Sequence, residues 1–239
     1  MAARNRYISK DGSLKGVFSY MNKKTFKKHS LSKKNSKMLV VGIGGASAGI
    51  IKTLKASNLN AKLAYIDTDI KHLQNVNLPA GHKVLVGRNN PAASARTSNI
   101  LTIEKIAKKE INIVKPIFSG YDNVLVILGL GGRTGSGILP VITEYLTKQG
   151  KNVNITATLP LVCEGVQRRV DADYALCKAG RFTDNIIIIP NQTAFMISQT
   201  DSYPMVKLFR HIDKTLSTFV KTFVHYEKRN NSKYSLALD

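Results

Sequence analysis

Cysteine is nearly absent from this 239-residue chain: Cys163 and Cys177 are the whole supply, too few for a disulfide framework and without metal-ligand spacing to any histidine. They read as reduced, structural thiols of a cytoplasmic protein. Long apolar runs are missing too. Nothing reaches the roughly 18 consecutive apolar residues of a membrane-spanning helix, and the basic N-terminus lacks the apolar stretch of a signal peptide. The histidines His29, His72, His82, His211 and His225 show no spacing that suggests a metal site. Acidic residues are scarce, with 15 Asp and Glu against 36 Lys and Arg and a formal charge of +21. A surplus of that size bears on partners and solubility rather than on fold.

Nearly half of the surplus lies in residues 1–37, where Arg4, Arg6, Lys10, Lys15, Lys23, Lys24, Lys27, Lys28, Lys33, Lys34 and Lys37 meet the single acid Asp11. The apolar residues there are scattered, so the segment reads as a mobile basic arm. It is either a solvated tail or a contact for nucleic acid, anionic membrane or an acidic partner, in which case binding would be strongly salt-dependent. The expected division is an arm over 1–37, a nucleotide-binding domain over 38–230 and a tail over 231–239.

From Met38 the pattern changes. Met38-Leu-Val-Val-Gly-Ile43 is a buried strand running into a glycine turn, residues 46–57 have helical spacing, and Leu63–Ile66 is a second strand. Val84–Val86 and Val124–Leu128 are further strands, with a helix predicted over 100–114 between them. After a second glycine turn, helix is predicted over 138–147, strand over 153–159, helix over 166–179 and an apolar strand over 186–189. Met205, Leu208, Phe209, Ile212, Leu216, Phe219, Val220 and Phe223 then recur at intervals of three and four, the stripe of a long amphipathic helix. Lys207, Arg210, Lys214 and Lys221 lie opposite. Apolar strands alternating with helices predict an α/β fold with a mostly parallel sheet covered on both faces.

The two glycine turns are where chemistry concentrates, because glycines let a ligand approach the backbone and the following helix end attracts anions. Gly42-Ile-Gly-Gly-Ala-Ser-Ala-Gly49 resembles a dinucleotide fingerprint, with Asp67 available as a ribose-binding acid. That reading, a nicotinamide-dependent oxidoreductase, comes without a convincing Tyr-x-x-x-Lys pair or acid-base histidine constellation. Gly129-Leu-Gly-Gly-Arg-Thr-Gly-Ser-Gly137 adds hydroxyls to five glycines between a buried strand and a helix, a natural phosphate cradle. It lacks the Lys-Ser/Thr ending of the common nucleoside-triphosphate loop.

From about Met38 to the end of the long helix, the order of these motifs resembles the tubulin/FtsZ family, whose signature is Gly-Gly-Gly-Thr-Gly-(Ser/Thr)-Gly. The resemblance implies a Rossmann-like domain binding GTP or GDP, with Mg2+ as a candidate companion ion. Gly44, Gly45, Ala46, Ser47 and Gly49 resemble the first phosphate loop. Gly131, Gly132, Arg133, Thr134, Gly135, Ser136 and Gly137 resemble the signature, and Asp67-Thr68-Asp69 resembles the family's Asn-Thr-Asp loop. Glu164-Gly165 with Arg168 looks like the ribose-holding Glu-Gly-x-x-Arg, Asn191 like the guanine-reading asparagine of Ile-Pro-Asn, and Phe209 with Asp213 like the base-stacking Phe-x-x-x-Asp. An Asp carboxylate accepts from both guanine N1–H and the exocyclic amine, a donor pair that adenine lacks. Taken singly, Asn191 reads as a helix cap, Phe209 as core, and Glu164 with Arg168 as a surface pair one turn apart.

Three departures stand against the family pattern. Arg133 replaces the signature's middle glycine, and Ala93-Ser-Ala-Arg-Thr97 stands where the family has a glycine-rich segment sensing the terminal phosphate. After Glu227 the sole acid is Asp239, so the family's hydrolytic loop and the domain beyond it have no counterpart in this sequence. The expectation is a nucleotide-binding scaffold or modulator of a filament, with weak or no GTPase of its own. It would associate with itself or with a full-length relative. A nucleotide-regulated DNA partition or packaging factor using the basic arm is the alternative.

Overall fold

The computed structural model describes residues 37–94, 98–192 and 205–236. The basic arm, residues 95–97 of the Ala93–Thr97 segment and the chain's last three residues lie outside the described residues. Six strands, β1 (Met38–Ile43), β2 (Lys62–Asp67), β3 (Lys83–Leu85), β4 (Asn123–Gly129), β5 (Asn152–Leu159) and β6 (Ile186–Pro190), form one sheet in the order β3-β2-β1-β4-β5-β6. All five pairings are parallel. Parallel neighbours need crossovers, and helices supply them: α1 (Ala48–Lys55), α2 (Ile70–Gln74), α3 (Pro91–Ser94), α4 (Ile100–Lys109), α5 (Ile111–Val114), α6 (Arg133–Lys148) and α7 (Val166–Ala179), with α8 (Met205–Leu236) last.

Period-two alternation divides the strands between two cores. Leu39, Val41 and Ile43 of β1 and Val124, Val126 and Leu128 of β4 face one way, into a core with Ile103 and Ile106 of α4, Ile138, Leu139 and Ile142 of α6, and Ala172, Ala175 and Ala179 of α7. Val40, Leu125 and Ile127 face the other way, toward Ile50, Ile51 and Leu54 of α1, Leu73 of α2, and Leu208, Ile212, Leu216, Phe219, Val220 and Phe223 of α8. The sheet is thus covered on both faces, as predicted. Its edge strand β6 differs: although apolar throughout, it is only half-buried along its length.

Three boundaries depart from the sequence reading. Helix α6 starts at Arg133, inside the glycine signature, so Gly135, Ser136 and Gly137 are helical and buried. The helix expected over 100–114 breaks at Glu110 (φ −99°, ψ 14°), whose carboxylate is spent on the Gly87 backbone N–H at 2.6 Å. Helix α8 continues to Leu236, past the boundary expected at 230. Its buried stripe omits Met205 and Phe209, which are exposed, and takes in Val224.

One buried charge ties α4 to α7. Glu104, 4% exposed, accepts from Tyr174 Oη at 2.8 Å and from Lys178 Nζ at 2.8 and 3.0 Å, and pairs with Lys108 at 2.8 Å. Burial alone pushes this carboxyl upward. The hydrogen bonds from Lys108, Lys178 and Tyr174 outweigh that and hold it at about 2. A depressed carboxyl contributes stability above its unfolded value, near 4.3, that is lost as pH falls through about 2. Glu104→Ala is therefore expected to cost about 1.5–2 kcal/mol at pH 7 by removing the acceptor shared by Tyr174 and the partly exposed Lys178 and Lys108. Thermal unfolding at pH 7 and pH 2.5 checks this: the difference from wild type shrinks at the lower pH.

Candidate nucleotide-binding site

The strand order reverses between β1 and β4, and in open α/β sheets ligands bind beyond the carboxyl ends of the strands at that switch point. Both glycine turns leave the sheet there. In the first, Gly44 sits at φ +78°, a region costly for residues with a Cβ, and its N–H donates to Ile66 O at 2.9 Å. Ser47, fully buried, donates its hydroxyl back to Gly44 O at 2.9 Å. Gly45 and Ala46 are left exposed at the tip.

In the second turn Gly131 sits at φ +81°, and its N–H donates to Ser136 Oγ at 2.9 Å. The Ser47 and Ser136 hydroxyls thus shape the loops and are not presented to a ligand. Gly137 has a packing role: a Cβ there would lie 2.7 Å from Ile103 Cβ, so its contribution is the close approach of α4. Gly132 precedes the first residue of α6 and Gly135 lies in its first turn, Arg133 and Thr134 are at the accessible helix end, and the two turns touch. A Cβ on Gly44 would come within 3.2 Å of Gly135 N, and one on Gly129 within 2.6 Å of Ala46 Cβ. Thr68 Oγ1, from the segment after β2, is 2.6 Å from Thr134 Oγ1 and joins that segment to the pair.

The residues expected to read base and ribose come from three further elements. Asp213, on α8, reaches the start of α1 so closely that a Cβ on Gly49 would lie 2.1 Å from its Oδ2. Burial pushes its carboxyl up to about 6, and among the described residues its carboxylate has no hydrogen-bond partner. Asn191 follows β6; it is 7% exposed, and its Oδ1 has no partner among the described residues. Phe209, one turn before Asp213, is 39% exposed, which excludes the reading as core and leaves a ring face available. Glu164 and Arg168 are paired across one turn, Glu164 also accepts the Leu161 N–H at 2.8 Å, and the Arg168 backbone carbonyl packs on Gly131.

Asp67 does not fill the ribose-binding role that the dinucleotide reading gave it. It is fully buried, and its carboxylate is taken by Tyr65 Oη (2.6 Å), the N–H groups of Thr68 (2.7 Å) and Asp69 (3.1 Å), and His72 Nδ1 (3.0 Å). Among the described residues no group of three His, Cys, Asp or Glu side chains is placed to hold a metal ion. No described helix is long and apolar enough to cross a membrane.

Residues 20–199 match the Tubulin/FtsZ family, GTPase domain. The chain is 32% identical over 195 residues to Cell division protein FtsZ 1 of Methanocaldococcus jannaschii, covering 81% of this chain and 52% of that protein. It is 31% identical over 195 residues to the protein of the same name from Thermococcus kodakarensis, covering 81% and 51%. Among solved structures, the empty FtsZ dimer of M. jannaschii superposes with TM-score 0.71 at 30% identity, over 91% of this chain and 59% of that one. GTPγS-bound CetZ2 from Haloferax volcanii superposes with TM-score 0.68 at 21% identity, over 79% and 58%, which shows the shared fold alone. The chain spans about half the length of the curated relatives it matches. With three quarters of its length matched by the family and the fold shared with FtsZ, the chain belongs to the Tubulin/FtsZ family through its GTPase domain.

Proposed function

We propose that this chain binds GTP or GDP between its two glycine turns and acts as a filament-associated scaffold or modulator. One observation carries the guanine assignment: a half-buried carboxylate, Asp213, set against Gly49 and without a partner among the described residues. A carboxylate partly withdrawn from water gains from a ligand that supplies donors, and guanine supplies two side by side. The buried Oδ1 of Asn191 is a second such acceptor. Phe209 offers a stacking face, the paired Glu164 and Arg168 a ribose contact, and the backbone of Gly44–Gly49 and Gly131–Gly135 the phosphate cradle, with Arg133 and Thr134 at its rim. When bound, the nucleotide's phosphates would carry any Mg2+. Isothermal titration of nucleotide-stripped protein is expected to give saturable binding of GTP and GDP and none of ATP or NADH; equal affinity for ATP would sink the guanine assignment.

The family's hydrolytic acids follow the long helix, whereas the acids of α8 here are Asp213, assigned above to the base, and Glu227, whose carboxyl burial pushes upward. This 239-residue polypeptide on its own is therefore expected to turn GTP over slowly or not at all. Phosphate release at rates ordinary for the family would refute that. The 30%-identical FtsZ structure from M. jannaschii is a dimer, which supports assembly of this chain with itself or with a longer relative.

The second reading, nucleotide-governed binding of DNA, is favoured by the exposed Lys207, Arg210 and Lys214 on α8 together with the cations of residues 1–37. It requires salt-dependent DNA affinity that removal of residues 1–37 abolishes.

A further inference from the structure

One side chain that the motif order does not single out stands directly on the first glycine turn. His72 of α2 places Cε1 2.8 Å and Nε2 3.4 Å from the position that a Cβ on Gly45 would take. The ring thus rests on the backbone of the exposed loop tip, in space that exists because residue 45 has no side chain. Its Nδ1 is 3.0 Å from Oδ2 of Asp67, and the ring remains about half exposed while the carboxylate is buried.

The Asp67 arrangement decides what His72 can offer. With Tyr65 Oη and two backbone N–H groups already donating to it, the carboxylate is held in place and has acceptor capacity left for one more donor. That donor is Nδ1–H, so Nε2 is the nitrogen presented outward. A ring pinned by a buried acid in this way loses little freedom on meeting an anion.

Position along the loop points to which part of a ligand it meets. Asp213, the base-reading carboxylate under the proposal above, sits at Gly49, whereas His72 sits at Gly45, the other end of the same turn. The start of α6 lies on that side as well, since a Cβ on Gly44, next to Gly45, would meet Thr134 Cβ at 3.4 Å, and Thr134 Oγ1 contacts Thr68 Oγ1. A nucleotide laid along the turn with its base at Gly49 brings its outer phosphates toward Gly45.

We propose that His72 is a polyphosphate-binding residue: as imidazolium it donates Nδ1–H to Asp67 and Nε2–H to a non-bridging oxygen of the β- or γ-phosphate. The assignment rests on the guanine-nucleotide reading, and the experiment separates the two. GTP, GDP and GMP are titrated into wild type, His72→Ala, His72→Gln and Asp213→Ala. His72→Ala is expected to weaken GTP about tenfold or more, the ordinary yield of a hydrogen bond from a charged donor, while GMP affinity stays within about twofold. His72→Gln, an uncharged donor, falls between wild type and alanine. The ratio of GTP to GMP affinity is read within one variant, so partial unfolding of either variant leaves it unmoved. An unchanged ratio in both His72 variants, alongside wild-type binding that Asp213→Ala destroys, overturns the His72 assignment alone. A wild type that binds no guanine nucleotide overturns both.

Discussion

Asp213→Ala is expected to lower the affinity for GTP and GDP by at least about a hundredfold while the chain stays folded. Each hydrogen bond from guanine to an ionised carboxylate contributes about 1.5 kcal/mol or more, so losing the pair removes about 3 kcal/mol, two decades in Kd. Gly49→Ala is the companion test. Its new Cβ collides with the far end of the Asp213 side chain, which can swing away, so the cost falls on ligand recognition and not on the fold. In helix α1 the same change favours the helix by about 1 kcal/mol. Gly49→Ala should therefore melt no lower than wild type and still bind GTP at least about tenfold more weakly. Tight binding by Asp213→Ala would remove the base-reading role from α8.

The displaced Asp213 carboxyl also predicts a pH dependence. Folded, it titrates at about 6; unfolded, near 3.9. A carboxyl raised on folding contributes stability that is complete below the unfolded value and is lost as pH rises through the folded one. Nucleotide-free wild type therefore loses this contribution between about pH 4 and 6, and Asp213→Asn, free of it, is the more stable protein at pH 8. Guanine needs the ionised form, so GTP affinity should be level above pH 7 and fall below pH 6. Thermal melts and titrations across pH 5 to 8 check both signs.

The second large effect is expected at Gly131. A residue with a Cβ at φ +81° bears left-handed strain of about 1–2 kcal/mol, and that Cβ would lie 2.6 Å from the Arg168 carbonyl oxygen. The obstacle is the backbone of α7, which cannot rotate aside as a side chain can. Gly131→Ala should then cost about 3 kcal/mol or more and lower Tm by roughly 6–12 °C for a domain of this size. Nucleotide affinity falls with it, because α7 carries Arg168 and the turn carries the phosphate cradle. Gly150→Ala is the control: its φ is +68°, but nothing lies within 4 Å of the added Cβ. It bears the strain without the collision, and a loss as large as that of Gly131→Ala would refute the steric account.

The strands were legible because a strand buried on both faces is an unbroken apolar run, and Met38–Ile43 and Val124–Leu128 read that way. Helix α6 hid its beginning for the opposite reason. Glycines are poor helix formers, yet packing against β4 and α4 overrides propensity and puts Gly135 and Gly137 inside the helix. The break at Glu110 was invisible because its cause, the Gly87 N–H, lies 23 residues away. Among site residues, the family resemblance put Asp213 forward for the base, but the sequence hid how its neighbours are placed. Phe209 is exposed where an apolar stripe implied core, and Ser136 turns its hydroxyl inward. His72 escaped notice because nothing in a lone histidine announces that a buried Asp five residues earlier will hold it against a glycine.

The sheet order also constrains how the chain acquires its shape. Among the described residues no strand pairs with its sequence neighbour through a tight hairpin, and β1 finds its second partner, β4, about 85 residues further along. At about 5–20 residues per second of synthesis, the inner edge of β1 waits roughly 4–17 seconds before Asn123–Gly129 exists to close it. That edge is apolar and has unpaired backbone groups, the condition in which nascent chains associate wrongly. The reversal between β1 and β4 that creates the crevice is thus also the strand pairing that bridges the longest stretch of chain and leaves a strand waiting longest for its partner.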